Sequence, residues 1–156
     1  MSLLLDFAIK TFSGLVIAGV AAGLAARWAI GKFYAEKRWE RKEQAYIEII
    51  DAMYDIKIYS SIQQKDYGQG TGYSDEKMSD FFDKYIQSLS FLSKVMGIGS
   101  LYISKEAQKI LDDFAKRDLP DQTENPKWEY YEEQFKISST TLEKIIEIAK
   151  KELSLK

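Results

Sequence analysis

The 156-residue chain has no cysteine and no histidine, and only two prolines. Without Cys there is no disulfide framework and no thiolate chemistry, a composition compatible with a reducing compartment. Without His there is no imidazole metal site and no usual general base for a serine or cysteine hydrolase. Glycine is absent between Gly31 and Gly68, and no proline occurs before Pro120. Long stretches of chain are therefore free of helix breakers. What remains is 46% hydrophobic, 29% charged and 13% aromatic, the composition of a folded helical protein rather than a disordered one.

Charge is nearly missing from the first part of the chain. Thr11 to Ala26, TFSGLVIAGVAAGLAA, carries none, and Leu3 to Ile9 extends the apolar run with only Asp6 and Lys10 interrupting it. Leu3 to Ala26 is long enough for a bilayer core, which takes about 20 residues. The run predicts a single membrane-spanning helix within residues 1–32. A secretory signal peptide and a buried soluble helix are the rival readings of the same residues.

Directly after the run come Arg27, Lys32, Lys37, Arg38, Arg41 and Lys42 against Glu36 and Glu40, a net +4. With Asp6 and Lys10 cancelling, the overall −2 leaves −6 on Glu43 to Lys156. Such a basic collar predicts a cytoplasmic flank, hence a plasma (inner) membrane protein with its N-terminus outside and its C-terminal domain in the cytoplasm. Arg27, Trp28, Lys32, Phe33 and Tyr34 are the expected membrane-interface residues. The acidic body argues against nucleic acid as a partner, because phosphate binding needs clustered cations. Within the run, Gly19 and Gly23 form G-x-x-x-G, with Ala22 and Ala26 in a second small-residue row. These are the expected helix-association residues, since small side chains let helix backbones approach closely.

The remainder, residues 33–156, reads as about four amphipathic helices. The first carries Trp39, Tyr46, Ile49, Ile50, Met53 and Ile56 at helical spacing and is expected to end near Lys65. Gly68, Gly70 and Gly72 form a G-x-G-x-G run. A phosphate loop would need a preceding strand, so a connecting loop is the expectation. Ser74 reads as the N-cap of a helix to about Met96, with Met78, Phe81, Phe82, Tyr85, Leu89, Leu92 and Met96 as its buried stripe. Ser74 to Lys77 also fits S-x-x-K, but no second acyl-transfer motif accompanies it. A shorter helix capped by Ser104 should bury Ala107, Ile110, Leu111 and Phe114. Asn125-Pro126 marks the start of the last helix, with Trp128, Tyr131, Phe135, Leu142, Ile145, Ile146 and Ala149 inward.

No catalytic constellation is visible. Glu129, Glu132, Glu133, Glu143, Glu147, Asp112 and Asp113 are abundant, yet a di-metal bundle pairs Glu with Glu-x-x-His. No catalytic, metal-binding or cofactor-binding residue is assigned. Tyr54, Tyr59 and Tyr130 fall off the main stripes and, exposed together, would form a partner-binding surface. The run KRWERKEQAYIEIIDAMYDIK resembles small single-pass bacterial proteins and points to no family.

The expected fold is thus all-α: an N-terminal transmembrane helix continuing into a cytosolic antiparallel bundle of about four helices. The expected function is a non-enzymatic, membrane-anchored interaction, scaffold or regulatory module. Its partners are the lipid bilayer and either a protein or a second copy through the membrane helix. The alternative is a self-assembling effector whose spans oligomerise to perturb the bilayer under control of the bundle.

Overall fold

The computed structural model describes residues 2–70, 72–98, 101–120 and 126–153. For residues 2–24, 68, 69 and 98 it describes the backbone alone. Among the described residues the chain is an all-α helical bundle with four helices: α1 (Ser2–Gln69), α2 (Asp75–Ile98), α3 (Lys105–Ala115) and α4 (Lys127–Glu152). It divides into two units, residues 1–40 and residues 41–156.

The termini of the helices follow from their local chemistry. The Ser74 hydroxyl accepts from the Lys77 amide at 3.4 Å, with Asp75 and Glu76 in the first turn of α2. An acceptor and acids at that end satisfy free N–H groups and complement the helix dipole. The Ser104 hydroxyl does the same for α3, accepting from the Ala107 amide at 3.2 Å. At the other end of α3, Arg117 donates to the Phe114 carbonyl at 2.9 Å while its guanidinium lies 4.1 Å from the Phe114 ring centroid. Pro126 occupies the cap position of α4, where no side chain bonds the helix end. The expected cap, Asn125, lies outside the described residues. Helix α1 continues past Lys65 to Gln69 before Gly70 and Gly72 turn the chain at φ 73° and 67°. Those left-handed values explain two of the three glycines in the G-x-G-x-G run, which is a connector as expected.

In the unit 41–156 the three long helices each bury a stripe in which steps of four and three residues alternate. On α1 it is Tyr46, Ile49, Met53, Ile56, Ser60 and Gln63, and on α4 it is Gln134, Ser138, Thr141, Ile145 and Ile148. On α2 it runs Phe81, Tyr85, Ser88, Leu92 and Val95, with Ser88 and Leu92 buried. This alternation averages 3.5 residues, the spacing at which helices pack side by side at small crossing angles. Lys42 pairs with Glu152 at one end of the α1–α4 contact, and Tyr67 stacks on Tyr131 at the other, so the two helices run in opposite directions. Ser88 donates to Asp55 and Tyr85 stacks on Tyr59, which sets α2 antiparallel to α1 as well. Helix α3 adds Ala107, Leu111 and Phe114 to the same core. Tyr46 reaches it from α1, its hydroxyl accepting from the Ser104 amide at 3.3 Å.

The membrane-spanning expectation is corrected. Among the described residues no helix is long and apolar enough to cross a membrane. The physical reason is charge density. From Arg27 onward, charged residues recur every few positions. Most of the apolar run, including Gly19, Ala22 and Gly23, lies outside the residues whose side chains are described. The single-pass plasma-membrane location with an outer N-terminus and a cytoplasmic C-terminal domain is set aside on this finding.

Core and surface positions predict different responses to truncation. Ile145→Ala or Leu111→Ala, both in the core, should each lower the stability of the fold by about 2–5 kcal/mol. Tyr54→Ala, at an exposed position of α1, should change it by less than about 0.5 kcal/mol. Denaturant melts of the three variants check this, and equal midpoints for all three would contradict the core assignment.

Candidate interaction surface

The expected interface residues lie together on α1. Every residue from Ala25 to Glu40 is exposed. Trp28 is 72% exposed, Tyr34 62%, Ile30 57%, Phe33 55% and Trp39 44%. The Lys32 ammonium lies 5.7 Å from the Trp28 ring centroid and the Lys37 ammonium 6.0 Å from that of Phe33. Phe33 and Tyr34 meet edge to face at 5.9 Å. Lys32 pairs with Glu36 at 3.9 Å and Lys37 with Glu40 at 2.6 Å. Arg27 and Ala26 are exposed on the same stretch. These contacts are all local, within one or two turns of one helix.

This exposed stretch keeps the register of the buried stripe. Counting back from Tyr46 in the same alternation of three and four reaches Lys42, Trp39, Ala35, Lys32 and Trp28. Three of those five are Trp or Ala, so an apolar stripe continues through Ala25 to Glu40 with solvent on it. Exposed aromatics at helical spacing mark surfaces that another helix can cover.

A second surface lies between α1 and α2. One concavity, of about 360 Å³, is bordered by Glu48, Asp51, Asp55, Lys84, Ser88 and Phe91. Another, of about 370 Å³, is bordered by Arg41, Ala45, Glu48, Phe91, Val95, Tyr102 and Ile103. Glu48 and Phe91 border both, so the two adjoin, one after the other, along the groove between α1 and α2. Its walls are acidic at the end near Asp55 and apolar at the end near Ile103. Sequence reasoning missed it, because Phe91 and Val95 fall beside the expected stripe of α2. Their spacing of four residues was the available signal.

The tyrosines do not form the exposed set expected of them. Tyr54 is exposed, but Tyr59 is buried and Tyr130 is half-buried. Tyr59 stacks on Tyr85 at 4.5 Å and meets Tyr131 edge-on at 6.0 Å. Gln134, fully buried on α4, donates to the Tyr85 hydroxyl at 2.9 Å. Thus Tyr59 closes the polar end of the bundle rather than facing a partner. Burial pushes the Tyr131 hydroxyl far above the ordinary phenol range, with the neighbouring Tyr59 adding to the effect. Burial likewise raises Tyr59.

Comparison of the chain with family models, with curated proteins and with solved structures finds no match.

The raised hydroxyls predict how the fold responds to alkali. A folded pKa above the unfolded one adds stability that is complete below about pH 10 and is lost as the pH rises from there towards the folded value. The native bundle should therefore weaken above about pH 10, where an unfolded chain ionises its tyrosines. Tyr131→Phe should flatten that loss by removing the most perturbed group. Denaturant midpoints on either side of this pH compare the two proteins, and parallel decline in both would show that Tyr131 does not carry the effect.

Proposed function

We propose that the chain is a non-enzymatic interaction module whose binding element is the exposed part of α1, Ala25 to Glu40. The observation that carries this reading is the continuation of the bundle's own three-and-four stripe into residues that nothing covers. Within the bundle, that spacing packs α1 against α2 and α4. On the N-terminal side of Lys42 the same spacing presents Trp39, Ala35 and Trp28 to solvent. The ligand class follows from the shape: a helical surface, one helix or the groove between two, laid along the stripe with its apolar side on the two tryptophans. Lys32 within the stripe, and Lys37 and Arg38 beside it, favour a partner with carboxylates beside its apolar face.

The test is photo-crosslinking in cells, with a photo-reactive residue at Ala35 and, as control, at Tyr54 on the bundle. Ala35 should give discrete protein adducts that Tyr54 does not. Trp28→Ser together with Trp39→Ser should reduce the Ala35 adducts about tenfold, the size expected when interface anchors are truncated. Because both tryptophans are exposed, the thermal midpoint should not move. Absence of adducts at Ala35, or adducts indifferent to the tryptophan changes, would overturn the reading.

A further inference from the structure

We infer that the groove between α1 and α2 receives the exposed helical stretch of a second copy of this chain. The inference rests on the reading of Ala25 to Glu40 as the binding element, and it names the partner. The groove has an apolar floor in Ala45, Phe91 and Val95 and a carboxylate wall in Glu48, Asp51 and Asp55. The groups that donate to two of those carboxylates are neutral: Gln44 to Glu48 at 2.7 Å and Ser88 to Asp55 at 3.3 Å. Their negative charge is therefore left for a ligand to meet, with Lys84 the one cation among the described residues on that part of the rim. The complement is an amphipathic helix with aromatic anchors and excess positive charge.

Ala25 to Glu40 has that chemistry. It carries Arg27, Lys32, Lys37 and Arg38 against two glutamates, and exposes Trp28, Phe33, Tyr34 and Trp39. The dimensions agree too. Arg41 to Asp55, the α1 wall, is about 22 Å of helix, and Ala25 to Glu40 is about 24 Å at the standard rise per residue. Two different surfaces meet in such a contact, the stretch of one copy and the groove of the next. A heterologous contact of this kind builds head-to-tail assemblies rather than being limited to a two-fold dimer. Opposite charges steer the encounter, so assembly should weaken as salt screens them.

The experiment uses the full chain and measures its mass by sedimentation over a range of concentrations. The native protein should grow in mass with concentration at low salt and fall back towards the monomer at high salt. Glu48→Lys with Asp51→Lys reverses the groove, and both positions are exposed, so the fold is undisturbed. Arg27→Glu, Lys32→Glu and Arg38→Glu reverse the stretch, also at exposed positions. Circular dichroism verifies that both variants fold. Each variant alone should associate about tenfold more weakly than the native chain. An equimolar mixture of the two should regain association, because the reversed groove then faces a reversed stretch. A native chain that stays monomeric, single variants that associate as the native chain does, or a mixture that fails to recover would each overturn the inference. Crosslinks from Ala35 to a different protein, with the chain itself monomeric, would overturn this inference and leave the binding element standing.

Discussion

The stripe of α1 is the constraint on which the rest of the molecule depends. An α-helix repeats every 3.6 residues, whereas apolar positions alternating by three and four repeat every 3.5. Helices that share the shorter period can stay in contact over many turns, because slight supercoiling keeps the stripe facing its partners. Here α1 and α4 share it over Tyr46 to Gln63 and Gln134 to Ile148, and α2 joins them through Ser88 and Leu92. Register is fixed at both ends of the α1–α4 contact. At one end Lys42 meets Glu152, both half-buried. At the other, Tyr67 stacks on Tyr131. A slip of one turn along either helix would break the first pair and misplace the second.

The character of the stripe changes along its length. Ile49, Met53 and Ile145 supply a fully apolar middle. Towards the far end come Ser60, Ser138, Gln63 and Gln134, all buried. The two serines bond carbonyls of their own helices, Ser60 to Ile56 at 2.8 Å and Ser138 to Phe135 at 3.0 Å. That removes the cost of burying a hydroxyl without a partner. The larger Tyr59 and Tyr85 stack on each other at 4.5 Å. The resulting end is polar but well filled. It explains why the hydroxyls of Tyr59 and Tyr131 resist ionisation: a phenolate placed among stacked rings would lose its water.

Much of this was legible in the sequence where local chemistry decides the outcome. Ser74 and Ser104 cap their helices because a hydroxyl at that position has free amides within reach, whatever the tertiary fold. Leu111, Phe114, Leu142 and Ile145 were readable as core because they are apolar at helical spacing. The failures occurred where polarity and burial part company. Gln134, Ser138 and Thr141 sit on the buried face of α4, whereas Trp128, expected inward, is exposed. Phe82 is exposed too, because the stripe of α2 runs through Phe81 and Tyr85 instead. Side-chain polarity alone cannot reveal such a shift, since the partner helix determines which face is covered. The membrane assignment failed differently. It rested on the apolar run before Arg27, and the helix beyond that point is too densely charged to cross a bilayer.

The exposed stretch of α1 poses a physical problem that the bundle does not solve. Most helical stability in proteins comes from packing an apolar face. Ala25 to Glu40 has local support from the Lys32–Glu36 and Lys37–Glu40 pairs and from the cations over Trp28 and Phe33. Such pairs contribute little where water reaches them freely. Leaving two tryptophans, a phenylalanine and a tyrosine in water forgoes far more free energy than those pairs contribute. The period of the stripe matters here as much as its composition. A stretch with aromatics scattered at random could bind only as a sticky patch. One that keeps the alternation of three and four can be covered along its whole length by another helix, by the same packing that closes the bundle over Ile49 and Met53.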